Sequence, residues 1–206
     1  MASQSHCIDD IETLESVYGA PSRPSITKEV DYVHAHYRAM IQASPFAALA
    51  TIGPDGLDVS PRGDGAGFVV VEDEKTLLLP DRPGNNRVDS LRNIVHDPRM
   101  ALLFMIPGVS ETLRVNGRAT LSLDPALLTR FAVKGKAPRS IMIVAVETVF
   151  FQCARALVRS GLWSPENHVD RASLPSTGTL LADIGGEVDA GDYDRRQPER
   201  VKDSLY

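Results

Sequence analysis

Residues 46–63 read FAALATIGPDGLDVSPRG, and this stretch decides the fold. A short apolar run meets the turn Pro54-Asp55-Gly56 and is followed by a second run in which apolar and polar residues alternate. Such a pattern is that of two antiparallel strands closed by a tight turn. The same grammar recurs outward along the chain. GFVVVED (67–73) and TLLLPD (76–81) flank a turn around Asp73, Glu74 and Lys75; RMALLFMIPG (99–108) and ETLRVNGRATLSL (111–123) flank Pro107-Gly108; RSIMIVAVETVFFQCA (139–154) supplies the last long β-rich run. Short strands joined by tight turns specify an antiparallel barrel, not a parallel sheet with crossover helices.

Helices interrupt this series. Val30, Val33, His34, Tyr37, Met40 and Ile41 recur at helical spacing, which predicts an amphipathic helix capped by Thr27 and stopped at Ser44-Pro45. Val88, Leu91, Ile94 and Val95 predict a second, ended by Pro98, and Asp124-Pro125 predicts the start of a third. Another short helix is expected over ARALVRSGLW (154–163). The polar residues 1–26, broken by Pro21 and Pro24, read as an N-terminal extension with one short helix. From Ser164 onward the chain reads as a tail, residues 164–206, with one helical piece near Thr179 to Ile184.

The 206 residues suffice for one domain with additions, and no apolar run approaches the roughly 20 residues of a membrane span. The N-terminal stretch carries carboxylates where a secretory signal would be basic and then apolar, so a cytoplasmic location is expected. Cys7 and Cys153 lie far apart, match no metal spacing, and read as reduced thiols. A net charge of −5 argues against a nucleic-acid binder that works by broad phosphate neutralisation, yet leaves room for a small basic pocket.

Three stretches carry candidate chemistry. In LLLPDRPGNNRVDSLRNI (77–94) a strand ends in a loop with two arginines, Gly84 and two amides before a helix starts. Helix N-terminal N–H groups and guanidinium forks both suit an anion, and Asn85 and Asn86 add donors without charge. A solvated turn with a salt bridge from an arginine to Asp81 or Asp89 is the alternative. In VSPRGDGAG (59–67) a strand runs into Ser60, Pro61, Arg62, Gly63 and Asp64 among three glycines, as where a flat ligand approaches backbone, or as at a bulge and turn. It matches neither a nucleotide-hydrolase phosphate loop nor a dinucleotide fingerprint. In QCARALVRSGLW (152–163), Arg155 and Arg159 share a helical face and Trp163 is the only tryptophan. An anionic partner would relieve the like-charge repulsion, and the indole could cover an aromatic ring or serve as core or interface.

Taken in order, these blocks resemble the FMN-binding split-barrel flavoproteins related to pyridoxamine 5'-phosphate oxidase. The likeness covers roughly residues 30–163 and looks closest to a bacterial subgroup of flavin-nucleotide-binding proteins in which PDRPGNNR and RSxLW elements recur. The resemblance implies a mainly β fold, a six-stranded antiparallel split β-barrel with flanking α-helices, formed by residues 27–163. It implies a homodimer with FMN in a groove at the subunit interface. Ser60, Arg62 and Asp64, with Pro61 and Gly63 between them, would run beside the isoalloxazine ring. The segment holding Asn85 would take the phosphate through Asn86 and Arg87, with Arg82 nearby, while Arg159 and Trp163 would reach the flavin of the partner chain.

The sequence also departs from pyridoxamine phosphate oxidases themselves. GDGAG stands where they carry a basic residue after the first flavin-contacting strand, and their C-terminal Arg-x-His type substrate motif has no counterpart. The expectation is therefore an FMN-dependent oxidoreductase of the superfamily acting on a small molecule. A flavin-binding or flavin-sensing module without turnover, or a relative that holds F420 or heme in place of FMN, are the other readings. Arg62 or a backbone N–H near the flavin would favour its anionic reduced form. No separate acid or base is identified: His34, His36, His96 and His168 fall on helices or the tail.

Overall fold

The computed structural model describes residues 6–205, so the first five residues of the N-terminal extension and Tyr206 lie outside the described residues. The hairpin at the head of the barrel forms as its sequence dictates. Strand β1 (Phe46–Gly53) pairs antiparallel with β2 (Gly56–Gly63) in a register that sets Gly53 opposite Gly56. Gly56 takes φ of +113°, a left-handed value that glycine reaches without a Cβ clash.

The remaining strands are β3 (Val70–Val71), β4 (Thr76–Asp81), β5 (Arg99–Met105), β6 (Thr112–Ser122) and β7 (Ser140–Gln152). Their order is β2-β1-β5-β6-β7-β4-β3, and each neighbouring pair is antiparallel. This is a split barrel of six substantial strands; the seventh, β3, is a two-residue bridge, so most of GFVVVED is not strand. At the β6–β7 seam the register slips between Asn116 and Gly117, and a Cβ on Gly117 would stand 2.2 Å from the Ala145 carbonyl oxygen. Only glycine lets the two backbones close there.

The strands show two burial regimes. Along β1, Ala47, Leu49 and Thr51 are buried while the residues between them are not, the alternation of a sheet with one covered face. Four consecutive residues of β4, Leu77 to Pro80, are buried because this strand is covered on both faces. Leu77 and Leu79 join the main core with Leu49, Leu102, Phe104 and Val144. Leu78 lies on the other side with Ile141 and Phe131, beneath α5 (Pro125–Arg130). Each such side chain contributes roughly 1.5–3 kcal/mol by leaving water. Two helices close the main core: α3 (Ala35–Ala43) through Ile41, and α4 (Asp89–His96) through Ile94 and the partly buried Leu91.

One helix boundary corrects the sequence reading. Thr27 does not cap the helix over residues 27–43; it ends α2 (Arg23–Thr27), and α3 begins only at Ala35 with His34 as cap. Tertiary pairing is the reason. Val30 and Val149 exchange backbone hydrogen bonds at 3.0 and 2.7 Å, and the Val33 N–H donates to the Glu74 carbonyl at 2.7 Å, so this backbone is spent on the sheet. Helical periodicity here reflects burial of Val33 rather than a helical turn.

Outside the barrel lie α1 (Ile11–Tyr18), capped by Asp10, α6 (Arg155–Ser160), α7 (Thr177–Gly185) and α8 (Ala190–Ser204). The tail thus contains a second helix that the sequence reading omitted. Asp189 caps α8 by accepting from the Asp192 N–H, and α8 returns the Asp194 carboxylate to the Gly178 N–H of α7 at 2.8 Å. Among the described residues no helix is long and apolar enough to cross a membrane. Cys7 and Cys153 are both free and exposed.

Candidate functional site

Strand β2 lies at one end of the sheet order, and its inward face is polar. Asp58, Ser60 and Arg62 stand opposite Thr51, Leu49 and Ala47, so they share the face that elsewhere is core. The start of α4 and the loop after β4 cover this face in place of apolar side chains. Between these elements and the segment entering β7 opens a cavity of ≈ 250 Å³.

Eight of the sequence-predicted residues line this cavity: Pro61, Arg62, Gly63 and Asp64 from the end of β2, and Arg82, Asn85, Asn86 and Arg87 from the loop. Ser60 stands just behind, its Oγ accepting from Arg62 Nη1 at 2.9 Å. Arg62 Nη1 also donates to the Pro61 carbonyl at 2.8 Å. Burial pushes the Arg62 guanidinium below its ordinary range, while Asp81 and Asp58 pull it back up. Arg82 spans the cavity wall: Nε donates to Asp64 at 3.0 Å and Nη1 to the Phe131 carbonyl at 2.7 Å, tying the loop to the end of α5. Arg87 is largely exposed and pairs with Asp89, whose hydrogen bond raises the guanidinium above its ordinary value.

Sequence reasoning missed two charged members. Arg139 lines the cavity and donates from Nη1 to Asn86 Oδ1 at 2.6 Å, while its N–H donates to the Asp81 carbonyl at 3.0 Å. With its oxygen engaged, Asn86 has its amide hydrogens to offer a ligand. Asn86 also takes a left-handed φ of +61°, which asparagine tolerates better than most residues. The signal for Arg139 was available in the basic run KGKAPR (134–139), but nothing local tied that run to a loop fifty residues earlier. Asp81 also lines the cavity, and burial raises its carboxyl above the ordinary range against the pull of Arg62 and Arg139.

Four guanidiniums (Arg62, Arg82, Arg87, Arg139) against two carboxylates (Asp64, Asp81) give the cavity a net charge of +2, in a chain of net −5. The first turn of α4 adds uncompensated N–H groups, since its cap, Val88, has no side-chain acceptor and itself lines the cavity. Phe68 and Leu91 supply an apolar wall. Such a donor set suits a dianionic group attached to a flat or apolar body. A roomier groove of ≈ 450 Å³ lies on the far side of Arg87. Its lining carries Asp55, Asp58 and Asp89 against Arg87 and Arg92, a balance that disfavours an anion. Among the described residues no His, Cys, Asp and Glu cluster fits a metal ion.

Arg159 and Trp163 are not brought to the cavity of their own chain. Arg159 is exposed on α6, and the Trp163 indole N–H donates to the Val109 carbonyl in the β5–β6 connection at 2.9 Å.

Residues 33–153 match the family model described as pyridoxamine 5'-phosphate oxidase. No curated protein matches the chain. Among solved structures, HupZ from Group A Streptococcus is similar at 17% identity and a TM-score of 0.48, over 57% of this chain and 92% of that one. A protein from Clostridium acetobutylicum related to general stress protein 26 of B. subtilis, of the pyridoxinephosphate oxidase family, is similar at 13% identity and a TM-score of 0.44, over 57% and 85%.

Proposed function

This chain belongs to the pyridoxamine 5'-phosphate oxidase family, and we propose that it is an FMN-binding flavoprotein and an oxidoreductase acting on a small molecule. The observation that carries the reading is the charge of the cavity, +2 in a chain of net −5, beside an apolar wall. A phosphomonoester is a dianion near neutral pH, and guanidinium forks with helix N–H groups are the donors it takes best.

In this reading Asn85, Asn86, Arg87 and Arg139 hold the phosphate, with Arg82 fixing the loop that carries them. The strand from Ser60 to Asp64 would run along the isoalloxazine. When bound, the flavin supplies the redox chemistry, and the protein orients it and sets its electron affinity. Arg62 would set positive charge beside the flavin, where its partial burial limits screening by water. Pro61 and the glycines offer backbone without bulk.

A cavity of ≈ 250 Å³ is smaller than the roughly 300–1,000 Å³ of sites that enclose a whole cofactor. A second copy would complete it. The outward face of the sheet beside the cavity bears Leu57 at 84% and Val59 at 66% exposure, next to Ala50 and Ala101 in the paired strands. A face this apolar suits a symmetric homodimer, in which Arg159 and Trp163 of each chain serve the partner's flavin. We place the protein in the cytoplasm, where Cys7 and Cys153 would stay reduced.

The absorption spectrum of the purified protein, with mass spectrometry of the released ligand, tests this. Flavin bands and released FMN are expected. A Soret band, a deazaflavin or an intact dinucleotide would overturn the cofactor, and bound FMN that NADH, NADPH and candidate substrates never reduce would leave a binding module in place of an enzyme.

A further inference from the structure

Ser90 is the second residue of α4 and only 3% exposed, yet its hydroxyl does not cap its own helix. It donates to Asp58 Oδ2 at 2.8 Å and lies 2.7 Å from Ser60 Oγ. Ser60 Oγ in turn lies 2.9 Å from Arg62 Nη1. The direction of every proton in this chain is fixed at its two ends. A guanidinium can only donate and an ionised carboxylate can only accept. Ser90 therefore gives its proton to Asp58, Ser60 gives its own to Ser90, and Ser60 receives from Arg62.

We propose that Ser90 is a positioning residue, which together with Asp58 holds Arg62 in place at the cavity through this one-way chain of hydroxyls. The inference rests on the reading of the cavity as a cofactor site, and names what prepares it. Arginine has more rotamer freedom to lose than most side chains, so a guanidinium fixed before the ligand arrives binds without that loss. Nη1 is held by Ser60 and by the Pro61 carbonyl, which leaves Nε and Nη2 for the ligand. The chain also links the two ends by charge, since each hydrogen bond polarises the next between a cation and an anion.

Alternatives for Ser90 explain less. A helix start prefers a serine at the cap to satisfy its own N–H groups, but here the cap is Val88 and those groups remain open. Serine in a helix commonly bonds to the backbone of its own turn. Ser90 instead spans two elements and meets only side chains of β2.

The test has one arm that needs no ligand. In the apo protein, exchange of the Arg62 guanidinium protons is followed by nitrogen-edited NMR, the signals being assigned by their loss in Arg62→Lys. Ser90→Ala should speed that exchange about tenfold or more, and Ser90→Thr, which keeps the hydroxyl, should restore slow exchange. In the second arm FMN is titrated. Ser90→Ala should weaken it about tenfold in the parent protein and hardly at all in an Arg62→Ala background. Asp58→Asn keeps an acceptor oxygen but removes the charge, and should fall between; if Ser90→Ala does not fold, this variant is read in its place in both arms. Wild-type exchange rates for Arg62 in the variant, or an equal loss of FMN with and without Arg62, would overturn the proposal. A parent protein that binds no FMN would sink the cofactor reading alone, because the exchange arm still decides the role of Ser90.

Discussion

Arg139 Nη1 donates to Asn86 Oδ1 at 2.6 Å, joining the segment that enters β7 to the loop that leaves β4, 53 residues earlier in the chain. The bond orients the one loop amide that sits in a left-handed conformation, and it brings a fourth guanidinium to the cavity. Arg139→Ala should therefore weaken FMN by about 2 kcal/mol while riboflavin, which lacks the phosphate, changes little. Titration of both ligands by flavin fluorescence checks this. Equal losses would move the phosphate away from Arg139.

Arg87 and Asp89 should give effects of opposite sign. Their ion pair is exposed and screened by water, so breaking it costs the fold little. Arg87→Ala removes the proposed phosphate donor and should weaken FMN about tenfold or more. Asp89→Asn frees the same guanidinium and should tighten FMN, by less than tenfold. Weaker FMN binding in both variants would mean that the pair itself, not the arginine, shapes the loop.

Asp81 makes the cavity sensitive to pH. Burial raises its folded carboxyl pKa above the 3.8 of an ordinary aspartate. The folded state thus holds the proton more tightly than the unfolded one, so the stabilisation is complete below that ordinary value and is lost as pH rises through the folded one. Asp81→Asn should flatten this loss, so that its melting temperature exceeds the parent's near neutral pH and the gap closes toward pH 4. It should also tighten inorganic phosphate at neutral pH by removing a negative charge from the cavity. A gap in melting temperature that is the same at pH 4 and pH 7 would show that ionisation of Asp81 carries no penalty.

Val59 tests the shared site. It is 66% exposed on the apolar outward face, where a carboxylate costs a monomer little. Val59→Asp should split the proposed dimer at micromolar concentration and release FMN with it, as followed by light scattering and absorbance together. A monomeric variant that retains stoichiometric FMN would refute the shared cavity and withdraw Trp163 from the partner's cofactor.

The sequence by itself determined the strands other than β3, the tight turns and the loop with its arginines. The residues that decide them are neighbours: Gly56 supplies the left-handed turn of the first hairpin, Asp124 and Pro125 start α5, and Arg82 through Arg87 sit together before a helix. Propensity and periodicity act over a few residues, so such features can be read from a few residues. Tertiary structure alone decided where α3 begins, because Val30 gives its backbone to Val149, and a helical pattern cannot announce a strand partner so far along the chain. It alone placed Arg139 against Asn86, aimed Ser90 at Asp58 instead of its own helix, and gave the Trp163 indole to Val109. These contacts cost chain entropy to close and are held by the packed barrel around them, so their partners are set by the fold and not by the residues on either side.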